Sequence, residues 1–106
     1  MERVDFRGKN LARLDVSKDE KLEAYDCTDN PLKYLKGRDL VVEAGNGGFI
    51  GVRFSPEEGQ MFFAYAQEGF TFEGWYNTLG DRLSRENPWV DKYGMGREIF
   101  AYFREK

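Results

Sequence analysis

The side chains best placed to do chemistry in this chain are carboxylates. Glu57-Glu58, and Glu68 with Glu73, have the makings of the acid and base of a glycoside hydrolase. With no His in the sequence, proton transfer would fall to such groups, to Tyr or to Lys. Both carboxylate sets stand in or beside turn-forming stretches, where surface charge explains them more simply, so a non-enzymatic chain is expected. The single Cys27 permits no internal disulfide and, without His, no zinc set; its expected role is to fill the core. Asp81, Glu86 and Asp91 lack any recognised calcium-ligand spacing. Gly45-Asn46-Gly47-Gly48 precedes an extended stretch instead of a helix, so it is no phosphate loop. Neither a metal nor a cofactor is expected. Aromatics offer the other chemistry: Trp89, Tyr93 and Tyr76 fall in or near loops, where rings can stack on a sugar. Trp75 and Trp89 also suit a core role, Trp75 within it and Trp89 closing the bottom of a sheet.

These residues must be positioned by a small fold. At 106 residues, 33% charged and 41% hydrophobic, the chain has the length of one domain or of two small units sharing an interface. Its net charge of -3 gives no electrostatic hold on nucleic acid or an anionic membrane. Apolar runs are too short for a transmembrane helix, direct membrane insertion is not expected, and no signal-peptide pattern opens the chain.

The first forty residues repeat. Val4-Asp5-Phe6, Leu14-Asp15-Val16 and Tyr25-Asp26-Cys27 are apolar-Asp-apolar triplets, separated by Leu11 and Leu22 and followed by Leu32. Spacings of ten and eleven residues give a period of about 21, within the range of leucine-rich repeats. Each triplet reads as a short strand with its Asp pointing out, so Asp5, Asp15 and Asp26 are expected along an exposed strand face. Asn30 stands where such repeats use an Asn to satisfy the bending backbone. The stretch from Leu11 to Leu35 resembles the short leucine-rich repeats of bacterial surface proteins, with Asp19-Glu20, Tyr25 and Gly8-Lys9 departing from their pattern. Because repeat turns need neighbours to bury their core, the N-terminal strand edge is expected to be open to pairing with another chain, giving a homo-oligomer.

Lys36-Gly37-Arg38-Asp39 ends the period and marks the expected junction between residues 1–40 and 41–106. Beyond it, strands are expected at Leu40 to Ala44, Phe49 to Phe54, Gln60 to Ala66, Phe70 to Tyr76 and Glu98 to Arg104, with turns carrying Gly59, Gly69, Gly80 and Pro88 between them. The expected fold is mainly β: a small antiparallel domain, β-grasp-like or sandwich-like, packed on an abbreviated leucine-rich solenoid edge. Glu68-Gly-Phe-Thr-Phe-Glu-Gly-Trp75 forms the anchor of this half, burying Phe70, Phe72 and Trp75. Together with Gly47-Gly48, Gly59, Phe62, Ala64, Ala66, Glu86-Asn87-Pro88, Ile99, Ala101 and Phe103, it resembles the divergent internalin-B repeat, related to the Listeria–Bacteroides repeat domains. The resemblance implies a non-catalytic module of a bacterial cell-surface or secreted protein, serving adhesion, protein contact or spacing, with a protein or a cell-surface glycan as partner. Carbohydrate binding through exposed Trp and Tyr is the alternative.

One feature departs from the repeat pattern. Between the inward positions stand Met61, Phe63, Tyr65, Phe100 and Tyr102, where the family places polar residues. Alternation sends these to the opposite side from Phe62 and Ala64. Left in water they would make an apolar patch of roughly several hundred Å². Residues 1–40 are expected to cover them, with an intermolecular contact as the alternative.

Overall fold

The computed structural model describes residues 2–18, 22–37, 40–91 and 97–106. The chain is mainly β, and no helix occurs among the described residues. In order, the strands are β1 (Glu2–Asp5), β2 (Arg13–Asp15), β3 (Leu22–Asp26), β4 (Tyr34–Lys36), β5 (Leu40–Ala44), β6 (Gly48–Ser55), β7 (Gly59–Ala66), β8 (Phe70–Tyr76), β9 (Arg82–Ser84), β10 (Trp89–Asp91) and β11 (Arg97–Glu105). They form two sheets, a front sheet ordered β1-β3-β6-β7-β10 and a back sheet ordered β2-β4-β5-β11-β8-β9. Inward residues of both, among them Ile50, Val52 and Phe62 from the front and Leu35, Val42, Trp75 and Ile99 from the back, make one buried cluster.

The 21-residue period is the pairing register of the first four strands. β1 lies parallel to β3 with Val4 opposite Tyr25 and Asp5 opposite Asp26; β2 lies parallel to β4 with Leu14 opposite Leu35. Successive triplets therefore alternate between the two sheets, which separates Asp15 from Asp5 and Asp26 and corrects the expectation of a single acidic row. The aspartates serve as strand stops. Asp5, Asp15 and Asp26 accept hydrogen bonds from the amides of Arg7, Ser17 and Thr28, each two residues on, at 2.9, 2.9 and 3.0 Å. This is the local turn that Asp side chains favour. Asn30 stitches two successive turns together: its Oδ1 accepts from the amides of Lys9 and Leu11, and its Nδ2 donates to the carbonyls of Phe6, Cys27 and Thr28.

Hydrogen bonding continues through residue 40. β3 pairs antiparallel with β6, and β4 with β5, so the N-terminal strands extend both sheets edge to edge. The expected layer of residues 1–40 over a reverse face is corrected accordingly: the segment adds strands to each sheet and shares the same core. At the expected junction, the Gly37 amide donates to the Leu40 carbonyl at 2.7 Å, while Arg38 and Asp39 lie outside the described residues. Antiparallel pairing is also corrected, since each sheet is mixed; β11 runs parallel to β5 and antiparallel to β8.

The anchor string works through a bulge. Phe70 and Phe72 are two residues apart, but Trp75 follows Phe72 by three, a spacing that strict alternation would send to opposite faces. The register slips between Tyr102 and Phe103, with Phe103 opposite Phe72 and Tyr102 opposite Gly74, so one extra residue restores Trp75 to the inside. Gly74, at φ 148°, supplies the backbone freedom. Trp75 is fully buried and its Nε1 donates to the Glu86 carbonyl at 2.8 Å. Gly47 and Gly48 make room for rings: a Cβ at either would stand 2.2 Å from Phe70 or 2.3 Å from Phe103.

Candidate functional site

The outward faces of the two sheets carry the unusual residues. The expected single patch is divided between them. Met61, Phe63 and Tyr65 lie on β7 in the front sheet, whereas Phe100 and Tyr102 lie on β11 in the back sheet. Since Phe62 and Ala64 share one core with Ile99, Ala101 and Phe103, the two sets face opposite sides of the molecule. Alternation within a strand is a local signal, but it does not say to which sheet the strand belongs.

On the back sheet, pairing lines up Arg13, Tyr34, Glu43, Phe100, Tyr76 and Arg82, one from each of six strands. At about 4.8 Å per strand, this row spans roughly 24 Å. Its inward neighbours Leu35, Val42, Ala101 and Trp75 are buried, which fixes the row on the outside. The Arg13 guanidinium lies 4.5 Å above the Tyr34 ring, and Tyr76 meets Tyr102 edge to face at 5.7 Å. Beside the row, Tyr102 remains 55% exposed.

The front face is more divided. Arg53 lies over Phe63, Lys33 lies over Phe49, and Phe63 and Tyr65 present parallel rings 6.4 Å apart. The turn carrying Thr28 rises against Gly51, where a Cβ would stand 3.1 Å from the Thr28 Cα and 3.2 Å from the Tyr65 ring. Beside it is a shallow groove of about 290 Å³, lined by Asp29, Asn30, Pro31, Phe49 and Tyr65. A second groove of about 400 Å³, at the β1 end, includes Arg3, Asp5, Arg7, Asp26 and Arg53 in its lining.

Charge in that second groove is locally compensated. Arg7 donates to Asp5 at 2.9 Å from both Nε and Nη2, and its side-chain and backbone donors hold the Asp5 carboxyl down at about 2. For Asp26, burial opposes ionisation, but the hydroxyl and amide of Thr28 and the Arg53 guanidinium outweigh it and keep the carboxyl below its ordinary value. Arg3 binds Glu57 at 2.5 Å, and Arg104 binds Glu73 at 2.9 Å. Two of the carboxylates first considered for acid–base work are thus tied to arginines.

Of the expected ligand loop of Trp89, Tyr93 and Tyr76, the two described residues lie in different sheets. Trp89 belongs to β10 and turns inward, 5.4 Å from Phe62 and 6.3 Å from Trp75 between ring centres. Tyr76 ends β8 in the other sheet and joins the back-face row, and Tyr93 lies outside the described residues. Cys27 is fully buried, its thiol donating to the Val52 carbonyl at 3.2 Å, and burial pushes that thiol up to about 12. Among the described residues, no cluster of three or more His, Cys, Asp or Glu could hold a metal ion.

Arg13, Tyr34, Glu43 and Arg82 are the row residues that reading the sequence missed. Adding the period of 21 to Arg13-Leu14-Asp15 yields Tyr34-Leu35-Lys36, so the fourth triplet is Leu35-Lys36-Gly37, disguised by the loss of its Asp, and Tyr34 stands before it as Arg13 stands before Leu14. Comparison with family models, with curated proteins and with solved structures finds no match for the chain.

Proposed function

We propose that this chain is a non-catalytic contact module of a bacterial cell-surface or secreted protein. Its first forty residues are read as two turns of a leucine-rich-type repeat, and the remainder as a divergent internalin-B-like repeat. The 21-residue parallel register and the Asn30 network support the first assignment. The bulged Phe-x-Phe-x-Gly-Trp strand supports the second. The function itself is carried by one observation, the six-strand outer row Arg13-Tyr34-Glu43-Phe100-Tyr76-Arg82 with Tyr102 beside it. Tyr, Phe and Arg are enriched where proteins meet, and an open sheet face suits a broad contact better than a small molecule, which favours a concave pocket. The partner this row fits is a protein surface whose apolar centre meets the aromatics and whose rim offers carboxylates to Arg13 and Arg82. Such a contact should be tested with immobilised cell-surface proteins and a polysaccharide panel, comparing the wild-type chain with Arg82→Glu plus Tyr102→Glu. Saturable binding to protein, weakened at least about tenfold in the variant at an unchanged melting temperature, is expected. Saturable binding to polysaccharide alone would transfer the face to the glycan reading, and no saturable binding to either would overturn the proposal.

A further inference from the structure

The end of the molecule formed by β1 and β2 carries a second, independent surface. Among the described residues, each strand is the last of its sheet and is hydrogen-bonded on one side only, β1 to β3 and β2 to β4. The Phe6 amide donates to Asp26 and the Val16 amide to Lys36, both back into the sheet. Since backbone groups alternate in direction along a strand, those of Arg3 and Asp5 point outward from β1, and those of Arg13 and Asp15 point outward from β2. Both edges therefore present the same pattern in the same phase: Arg, an inward apolar residue, Asp. The core is not closed at this end, because Phe6, Leu11, Leu14 and Val16 pack against it only partly buried.

We propose that two copies of the chain join end to end through these strands, about a two-fold axis perpendicular to both sheets. Antiparallel pairing centred on Val4 sets Arg3 opposite Asp5 of the second copy, with both backbone hydrogen bonds exchanged at that pair, and Val4 opposite Val4. Pairing centred on Leu14 does the same with Arg13 and Asp15. Four opposite-charge pairs then flank two apolar contacts, and each sheet runs unbroken through both copies. The charges also fix the register. A slip of one pair in either direction would set Arg against Arg or Asp against Asp on both edges, and like charges directly opposite are unfavourable.

The present partners of these side chains do not prevent the exchange. Arg3 with Glu57 and Arg7 with Asp5 are ion pairs between groups more than half exposed, and such pairs hold weakly. At the other end of the molecule the pattern is lacking, since β9 reads Arg82-Leu83-Ser84 and β10 reads Trp89-Val90-Asp91.

Sedimentation of the purified chain alone, from micromolar to millimolar concentration, tests the pairing without any other partner and so separates it from the back-face contact. A concentration-dependent dimer, weakened by salt, is expected. A variant with Arg3→Asp and Arg13→Asp, and another with Asp5→Arg and Asp15→Arg, should each dimerise on the order of tenfold or more weakly, as opposite-charge pairs become like-charge pairs. Mixing the two variants should restore a dimer of wild-type strength. A wild-type chain monomeric throughout, or a mixture that stays monomeric while both variants melt like wild type, would overturn the proposal. Asp5 and Asp15 also hold turn amides, so the second variant could unfold. The first then decides: at the wild-type melting temperature it must dimerise at least about tenfold more weakly, and a dimer at wild-type strength sinks the inference.

Discussion

Asn30 does more for this fold than its single position suggests. Its side chain makes five hydrogen bonds to backbone groups on two successive turns, and the residue is 6% exposed, so water cannot readily replace them. Leaving several buried amides and carbonyls unpaired costs about 3 kcal/mol or more. At about 4–8 °C per kcal/mol for a domain of this size, Asn30→Ala is expected to lower the melting temperature by at least ~12 °C. Asn30→Asp sharpens the test. A carboxylate still accepts from Lys9 and Leu11 but turns an oxygen toward the carbonyls of Phe6, Cys27 and Thr28, so it should fail at neutral pH as well. Retention of the wild-type melting temperature by Asn30→Asp would show that the donor half of the network carries no weight. The importance of Asn30 was legible in the sequence from the repeat spacing. The role of the three aspartates was not, because an outward Asp and a turn-closing Asp have the same strand pattern and differ only in where the chain bends next.

At the scale of elements, the longer strands were legible, and of the short ones only those that the repeat marks, β1, β2 and β3. Leu40 to Ala44 and Phe70 to Tyr76 are strands with the expected limits, because five to seven residues of alternation stand clear of their flanking turns. β4, β9 and β10 have three residues each, too few for a period to register. The parallel pairing of β11 with β5 left no local mark, since it joins strands more than fifty residues apart in the chain. Packing between elements yields a direct prediction at Gly48, where a Cβ would stand 2.3 Å from the Phe103 ring. Gly48→Ala forces that ring or its strand to move, an overpacking cost of about 1–3 kcal/mol. In a double-mutant cycle, Phe103→Leu should recover part of the loss, because the shorter side chain vacates the space the methyl needs. Simple addition of the two destabilisations would mean that the ring does not occupy the site.

Across the whole molecule, the decisive fact is that neither sheet stops at residue 40. β3 is bonded to β6 and β4 to β5, and the core cluster draws Cys27, Leu32 and Leu35 from one half together with Phe62, Trp75 and Ile99 from the other. A radius of gyration of 13.0 Å is that of a single compact domain of this length, for which about 13 Å is usual. Two units meeting only at an interface could unfold one after the other, but strands sharing ladders and a core have no such intermediate to stop at. The sequence supplies probes for both halves. Cys27, the only cysteine, reports on the first half through exposure of its buried thiol, and Trp75 with Trp89 reports on the second through fluorescence. In a urea titration, pulsed thiol labelling and Trp emission are expected to give one midpoint and one slope, the signature of an all-or-none transition. Phe63→Lys, on the front face beside Arg53 and Tyr65, should move both probes together to a lower midpoint, with no early release of Cys27. Labelling of Cys27 at a urea concentration where Trp emission is still native would establish two separable units and make residues 1–40 a detachable edge.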